Sequence, residues 1–158
     1  MEIGGRPSIC IVEDDKLARD LVSEICQEIG FYVCEWAKDG AHGLRIIEKE
    51  KPDIVVTDLV MPGMDGLTLA RTLRDPVKSP NPLVPIILMS ASISKTLLFK
   101  ARDAGINEML AKPLKAKLVF DRLFEIIERP RDFVVAPAYV GPDRRRRNAD
   151  FDGADRRG

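Results

Sequence analysis

From Ser8 to Glu128 the chain alternates short apolar runs with longer segments whose apolar residues recur at helical spacing. The first pair is Ile9-Cys10-Ile11-Val12 followed by Leu17, Leu21, Val22, Ile25, Cys26 and Ile29. An unbroken apolar run suits a strand buried on both faces, and the 3–4 spacing lays one apolar stripe along the helix that covers it. Further strands are expected at Tyr32–Trp36, Asp53–Thr57, Val84–Ser90 and Glu108–Ala111, with helices near 40–50, 66–74, 94–104 and 115–128. Five such βα units predict an α/β fold: a doubly wound, five-stranded parallel sheet with helices on both faces.

Past Glu128 the rhythm stops. Pro130, Pro137 and Pro142 interrupt residues 129–158, whose apolar residues lack period, and an irregular C-terminal tail is expected there. The chain thus divides into a folded domain over 1–128 and an arginine-rich tail over 129–158. With 25 Lys+Arg against 25 Asp+Glu, the 158 residues sum to zero charge. That balance argues against coating DNA or an anionic membrane, which needs a net cationic excess. The zero is unevenly composed. Gly141–Gly158 holds six arginines and four aspartates, a net +2 that leaves −2 on residues 1–140. None of the ten lysines falls in this stretch, against six of the fifteen arginines, so it favours guanidinium over positive charge in general.

No apolar run approaches the roughly 18–20 residues that span a bilayer, and the chain does not open on a basic start with a long apolar run. A cytoplasmic protein without membrane insertion is expected. Cys10, Cys26 and Cys34 lie within apolar segments and lack metal-ligand spacing, so they read as reduced core residues. His42, at a helix start, reads as a surface residue.

In open α/β sheets ligands bind beyond the carboxyl ends of the strands. The first strand ends in Glu13-Asp14-Asp15, the third in Asp58 and the fourth in Met89-Ser90-Ala91, and Lys112-Pro113 follows the fifth. The fold would gather Glu13, Asp14, Asp58, the Ser90 hydroxyl and the Lys112 ammonium at one sheet edge. Clustered carboxylates repel one another, and an all-oxygen set of this kind suits octahedral Mg²⁺. One carboxylate is then left to attack phosphorus, with Lys112 pairing to the phosphoryl oxygens and Ser90 hydrogen-bonding one of them.

These residues resemble the receiver domain of two-component response regulators, the CheY-like fold. The likeness covers residues 8–128 and rests on Glu13-Asp14, on Asp58 within Thr57-Asp58-Leu59-Val60-Met61-Pro62-Gly63-Met64-Asp65-Gly66, on Ser90-Ala91 and on Lys112-Pro113. It implies strand order 2-1-3-4-5, Asp58 as phosphoacceptor, and a Mg²⁺ site of Glu13, Asp14, Asp58 and the Val60 carbonyl. It also implies Ser90 as the switch hydroxyl, Lys112 as the phosphoryl contact, and a histidine kinase or phosphotransfer protein as donor. Three residues before Lys112 the family usually carries a Tyr or Phe that swings inward on phosphorylation; here the residue is Met109, a less discrete switch element.

In the tail, Gly141-Pro142-Asp143-Arg144-Arg145 returns twelve residues later as Gly153-Ala154-Asp155-Arg156-Arg157. Nucleic acid, an acidic protein and a guanine nucleotide could each use such a repeat. Guanine best fits the mixture: a guanidinium pairs bidentately with O6 and N7, while a carboxylate accepts from N1–H and N2–H₂. A reader of phosphate alone would gain nothing from four aspartates. Arg147-Asn148-Ala149-Asp150 has the Arg-x-x-Asp spacing familiar from cyclic-di-GMP sites, and that ligand's two guanines and two phosphates match the repeat and the charge.

A receiver followed by Tyr139-Val140-Gly141-Pro142-Asp143-Arg144-Arg145 and then by Arg147 and Asp150 resembles the Cle group of CheY-like cyclic-di-GMP effectors. The likeness implies that Arg144, Arg145, Arg147, Arg156 and Arg157 stack on bases and pair with edges or phosphates. Asp150, Asp152 and Asp155 are then candidates for the guanine edge, and Tyr139 and Asp143 join the site. It further implies a non-enzymatic adaptor that docks to a flagellar motor protein and is recruited to the motor or cell pole. The family's docking surface is the fourth helix, fifth strand and fifth helix, where Phe99, Phe120 and Phe124 are expected to be mostly core. The alternative is a phosphorelay receiver controlled only by Asp58, with the tail contacting nucleic acid or an acidic protein.

Overall fold

The computed structural model describes residues 2–3 and 5–144. In chain order its elements are β1 (Glu2–Ile3), β2 (Arg6–Val12), α1 (Lys16–Ile29), β3 (Tyr32–Val33), α2 (Gly40–Glu50), β4 (Ile54–Asp58) and α3 (Gly66–Arg74). They continue with β5 (Ile86–Ser90), α4 (Lys95–Asp103), β6 (Glu108–Ala111), α5 (Ala116–Glu128), β7 (Phe133–Ala136) and β8 (Tyr139–Pro142). The parallel strands lie in the order β3-β2-β4-β5-β6, which is 2-1-3-4-5 when the five are counted along the chain, and β1 pairs antiparallel with β2.

Alternation along each strand divides the core into two layers. Cys10, Val12, Val55, Ile86 and Leu88 face one layer, closed by Ile46 and Ile47 of α2, Leu69 and Leu73 of α3, and Leu97 and Ala101 of α4. Ile9, Ile11, Val56, Ile87 and Met89 face the other, closed by Val22, Ile25 and Cys26 of α1 and Val119, Leu123 and Ile126 of α5. Both sheet faces are therefore dry, as the unbroken apolar runs require. Four helices begin on a side-chain cap: Asp15, Asp39, Asp65 and Ser94 accept from the backbone N–H groups of Ala18, His42, Thr68 and Leu97. All three cysteines are buried, as expected.

Three expectations are corrected. The second parallel strand spans only Tyr32–Val33, although Cys34 and Ala37 still donate to Ile9 and Ile11 carbonyls of β2 at 2.9 and 3.1 Å. The tail does not start out irregular. β7 and β8 pair antiparallel from Phe133↔Pro142 to Ala136↔Tyr139, leaving Pro137-Ala138 as the connecting turn. The β-branched and aromatic content of Phe133-Val134-Val135 makes the first strand, and its pairing partner lies too close in sequence to register as a periodic segment. Finally, Phe99, Phe120 and Phe124 are not core but about half exposed. Arg145, Arg147, Asp150, Asp152, Asp155, Arg156 and Arg157 lie outside the described residues.

The hairpin is fastened through glycines and one buried cation. Gly105 has φ +85°, and a Cβ there would stand 2.9 Å from both Arg74 Cγ and the Val140 carbonyl oxygen; a Cβ on Gly141 would stand 2.9 Å from Gly105 Cα. Only hydrogen fits between these backbones. The Arg74 guanidinium lies 5.0 Å from the Phe133 ring centroid.

Candidate phosphoacceptor site

The pairing Val12↔Thr57 aligns the ends of β2 and β4, and Asp58↔Met89 and Ser90↔Ala111 carry the alignment across to β6. The residues that follow those ends accordingly meet at one edge. Ligand oxygens of Glu13, Asp14 and Asp58 all lie within 4.8 Å of one another. Glu13 is fully buried, Asp58 nearly so, and Asp14 is exposed. Lys112 reaches in from beyond β6, its Nζ 2.9 Å from Glu13 Oε1 and 3.0 Å from Asp58 Oδ1. Its backbone N–H donates to the Ser90 carbonyl at 2.8 Å, and the Lys112–Pro113 peptide is cis.

The surroundings fix these groups. Glu13 Oε2 accepts from the Asp15 N–H at 3.2 Å, and the Glu13 N–H donates to the Ala37 carbonyl at 2.9 Å. The loop after Asp58 folds back so that the Gly66 N–H donates to Leu59 O at 2.8 Å, and a Cβ on Gly66 would collide with the Asp58 carbonyl. The Ser90 hydroxyl is buried at the same edge but donates to the Ser92 carbonyl at 2.6 Å. The Val60 side chain is largely exposed.

Burial pushes the Glu13 carboxyl above its ordinary pKa, against the pull of its bond from Lys112. Burial also pulls the Lys112 ammonium down, but its bonds to Glu13 and Asp58 outweigh that and leave it above the ordinary lysine value. One ammonium thus faces three carboxylates, and the uncompensated negative charge, presented on oxygen alone, fits a hard divalent cation. Glu13, Asp14 and Asp58 are the groups that would hold Mg²⁺.

Three residues at or beside these elements had no signal in the sequence. Arg19 of α1 is buried, donates through Nη1 to the Glu13 carbonyl at 3.2 Å, and holds its guanidinium carbon 3.5 Å from the Trp36 ring centroid. Trp36 in turn meets His42 edge-on with centroids 6.3 Å apart, so His42 is partly buried and not the plain surface residue expected. Arg74, at the end of α3, spends its donors on the carbonyls of Gly105, Val84 and Pro82 and on Asn107 Oδ1, at 2.6–3.0 Å. Burial pulls its pKa down to about 10, which leaves it cationic at neutral pH.

Residues 9–124 match the response regulator receiver domain. The chain belongs to that receiver family. Chemotaxis protein CheY-3 of Vibrio cholerae is 31% identical over 121 residues, covering 77% of this chain and 92% of that protein. Chemotaxis protein CheY of Pseudomonas aeruginosa is 29% identical, covering 77% and 96%. The solved structure of V. cholerae chemotaxis protein CheY4 matches with a TM-score of 0.68 at 25% identity, over 79% of this chain and 98% of that one. The family match ends at residue 124, so the hairpin and the arginine-rich run lie past it.

The described part of that run is anchored. Tyr139 donates its hydroxyl to the Pro142 carbonyl at 2.9 Å, and the Arg144 guanidinium carbon lies 4.1 Å from its ring centroid. Burial raises the Tyr139 phenol, opposed by Arg144, Arg74 and Arg131. Arg144 also sits 3.4 Å from Asp103, and the Asp143 N–H donates to the Asp132 carbonyl at 2.7 Å.

Proposed function

We propose that this receiver accepts a phosphoryl group on Asp58 and that its arginine-rich C-terminal segment captures cyclic-di-GMP, the two together setting how the domain docks to a partner, a flagellar motor protein. The observation that carries the nucleotide half is Arg144, first of the run, with its guanidinium carbon 4.1 Å from the ring centroid of the hairpin-anchored Tyr139. A guanidinium carries five N–H donors, enough to pair with guanine O6 and N7 or with phosphate while it stays beside an aromatic ring. Arg145, Arg147, Arg156 and Arg157 supply further stacking and pairing, and Asp143, Asp150, Asp152 and Asp155 the carboxylates.

In the phosphoryl half, an Asp58 carboxylate oxygen attacks the phosphorus of a phosphohistidine or acyl phosphate. The new P–O bond forms as the donor's bond to phosphorus breaks, and the donor keeps that electron pair. Lys112, 3.0 Å from Asp58, would pair with the phosphoryl oxygens, and the Ser90 hydroxyl would exchange the Ser92 carbonyl for one of them. Mg²⁺, when bound, would neutralise the incoming charge. A second reading has Asp58 as the only input, with a histidine kinase or phosphotransfer protein as donor and the tail contacting nucleic acid or an acidic protein. It draws on the completeness of the acidic site. The two separate on one comparison. Cyclic-di-GMP binding that survives Asp58→Asn but is lost in Arg147→Ala/Asp150→Ala supports the first. A change in partner binding that needs acetyl phosphate and no nucleotide supports the second.

A further inference from the structure

Glu13 is the fully buried member of the acidic cluster, so its carboxylate can serve a cation only from where its backbone puts it. Both polar groups of that backbone lead to one short segment. The Glu13 N–H donates to the Ala37 carbonyl at 2.9 Å. The Glu13 carbonyl accepts from Arg19 Nη1 at 3.2 Å, and the Arg19 guanidinium carbon stands 3.5 Å from the ring centroid of Trp36, the residue before Ala37. Glu13, Arg19, Trp36 and Ala37 thus close a ring of contacts behind the carboxylate, joining the end of β2 to α1 and to the segment after β3. That segment is itself fixed. Ala37 bridges Val12 in parallel and donates to the Ile11 carbonyl at 3.1 Å, and Trp36 meets His42 of α2 edge-on.

Packing alone does not account for the residue at position 19. Arg19 is buried, and among the described residues it forms no ion pair. A buried cation without a carboxylate is costly, and an apolar side chain in its place would avoid that cost. The guanidinium brings what an apolar residue lacks, N–H donors for a backbone carbonyl together with a charge that an indole attracts more strongly than the other rings do. Both of those properties are spent on holding Glu13 to Trp36. In metal sites the groups that orient a ligand matter nearly as much as the ligand itself.

We infer that Arg19, held against the Trp36 ring, is a positioning residue for the divalent-cation site, fixing the Glu13 backbone so that its carboxylate meets those of Asp14 and Asp58. The inference rests on the Mg²⁺ reading above and deepens it: Trp36 acts through Arg19, and neither supplies a ligand.

The test is calorimetric titration of MgCl₂ into the full chain and into full-length Arg19→Gln, Trp36→Leu, Trp36→Phe and Arg19→Gln/Trp36→Leu, with urea unfolding of each. Arg19→Gln and Trp36→Leu should each weaken Mg²⁺ binding about tenfold. Trp36→Phe keeps a ring beside the guanidinium and should stay within about twofold. The double variant should bind no more weakly than Arg19→Gln alone, since one residue works through the other. If Arg19→Gln lowers the urea midpoint but leaves Mg²⁺ affinity as in the unaltered chain, Arg19 only packs and the inference is overturned while the Mg²⁺ reading stands. If the unaltered chain takes up no Mg²⁺, that reading fails and the positioning role with it. A ¹H–¹⁵N titration of the unaltered chain needs no variant to fold. Mg²⁺-dependent shifts of the Arg19 Nε–H and the Trp36 indole N–H support the inference, and shifts confined to Glu13, Asp14, Asp58 and their sequence neighbours contradict it.

Discussion

Each charged residue of the phosphoacceptor edge is legible only beside its neighbours. Lys112 compensates two buried or nearly buried acids at once, and Arg19 ties the Glu13 backbone to Trp36. Trp36 is the chain's one tryptophan, so its fluorescence is a natural reporter of the acidic site. Titration with MgCl₂ should change it saturably, and Asp14→Ala should remove the change; a flat titration of the unaltered protein would count against the Mg²⁺ assignment. The cysteines supply a second check at this scale. Burial pushes the Cys26 and Cys34 thiols up to about 12, and Cys10 higher still, so at pH 8 the thiolate is scarce as well as inaccessible. The native protein should be inert to a thiol reagent at that pH and expose three reactive thiols in denaturant. Arg74 carries the largest expected cost. Arg74→Ala would leave the Gly105, Val84 and Pro82 carbonyls without their donor, and urea unfolding should show a loss of about 3 kcal/mol at unchanged m-value.

Among the elements, the hairpin is the one most sensitive to a single atom. Gly105→Ala places a methyl group against Arg74 and the Val140 carbonyl at a positive φ, and should cost roughly 1–3 kcal/mol. Its signature is local: hydrogen exchange should quicken over residues 133–142 more than in β2 or β4. Those two strands were readable from Ile9–Val12 and Asp53–Thr57 because a strand buried on both faces must be apolar throughout, and β6 was read to its ends. The hairpin was hidden by its prolines and exposed valines, Val134 and Val135, which break the periodicity that a core-facing strand would show. Phe99, Phe120 and Phe124 misled in the opposite sense: their helical spacing is real, but α4 and α5 carry an apolar strip on the outer face as well. Glu13, Asp14, Asp58 and Lys112 were legible because strand ends in a parallel sheet converge. Arg74 and Arg19 were not, since nothing local marks a cation whose partners are backbone carbonyls and a ring.

Across the molecule, zero net charge hides a partition. The acidic edge holds one ammonium against three carboxylates, while residues 118–158 contain nine arginines and no lysine. On the proposed reading the two inputs would reach the protein from separate places, Asp58 at the carboxyl ends of the strands and cyclic-di-GMP at the arginine-rich C-terminal segment. Binding should be low micromolar or tighter, because ordering a terminal segment on a ligand costs roughly 2–5 kcal/mol that several arginines must offset together. The most direct test of this account is calorimetric titration of cyclic-di-GMP into the full chain and into a chain ending at Pro137. The account predicts tight binding by the first and none by the second, with Asp58→Asn in the full chain binding as the unaltered protein does. Equal affinity for the full and shortened chains would contradict it.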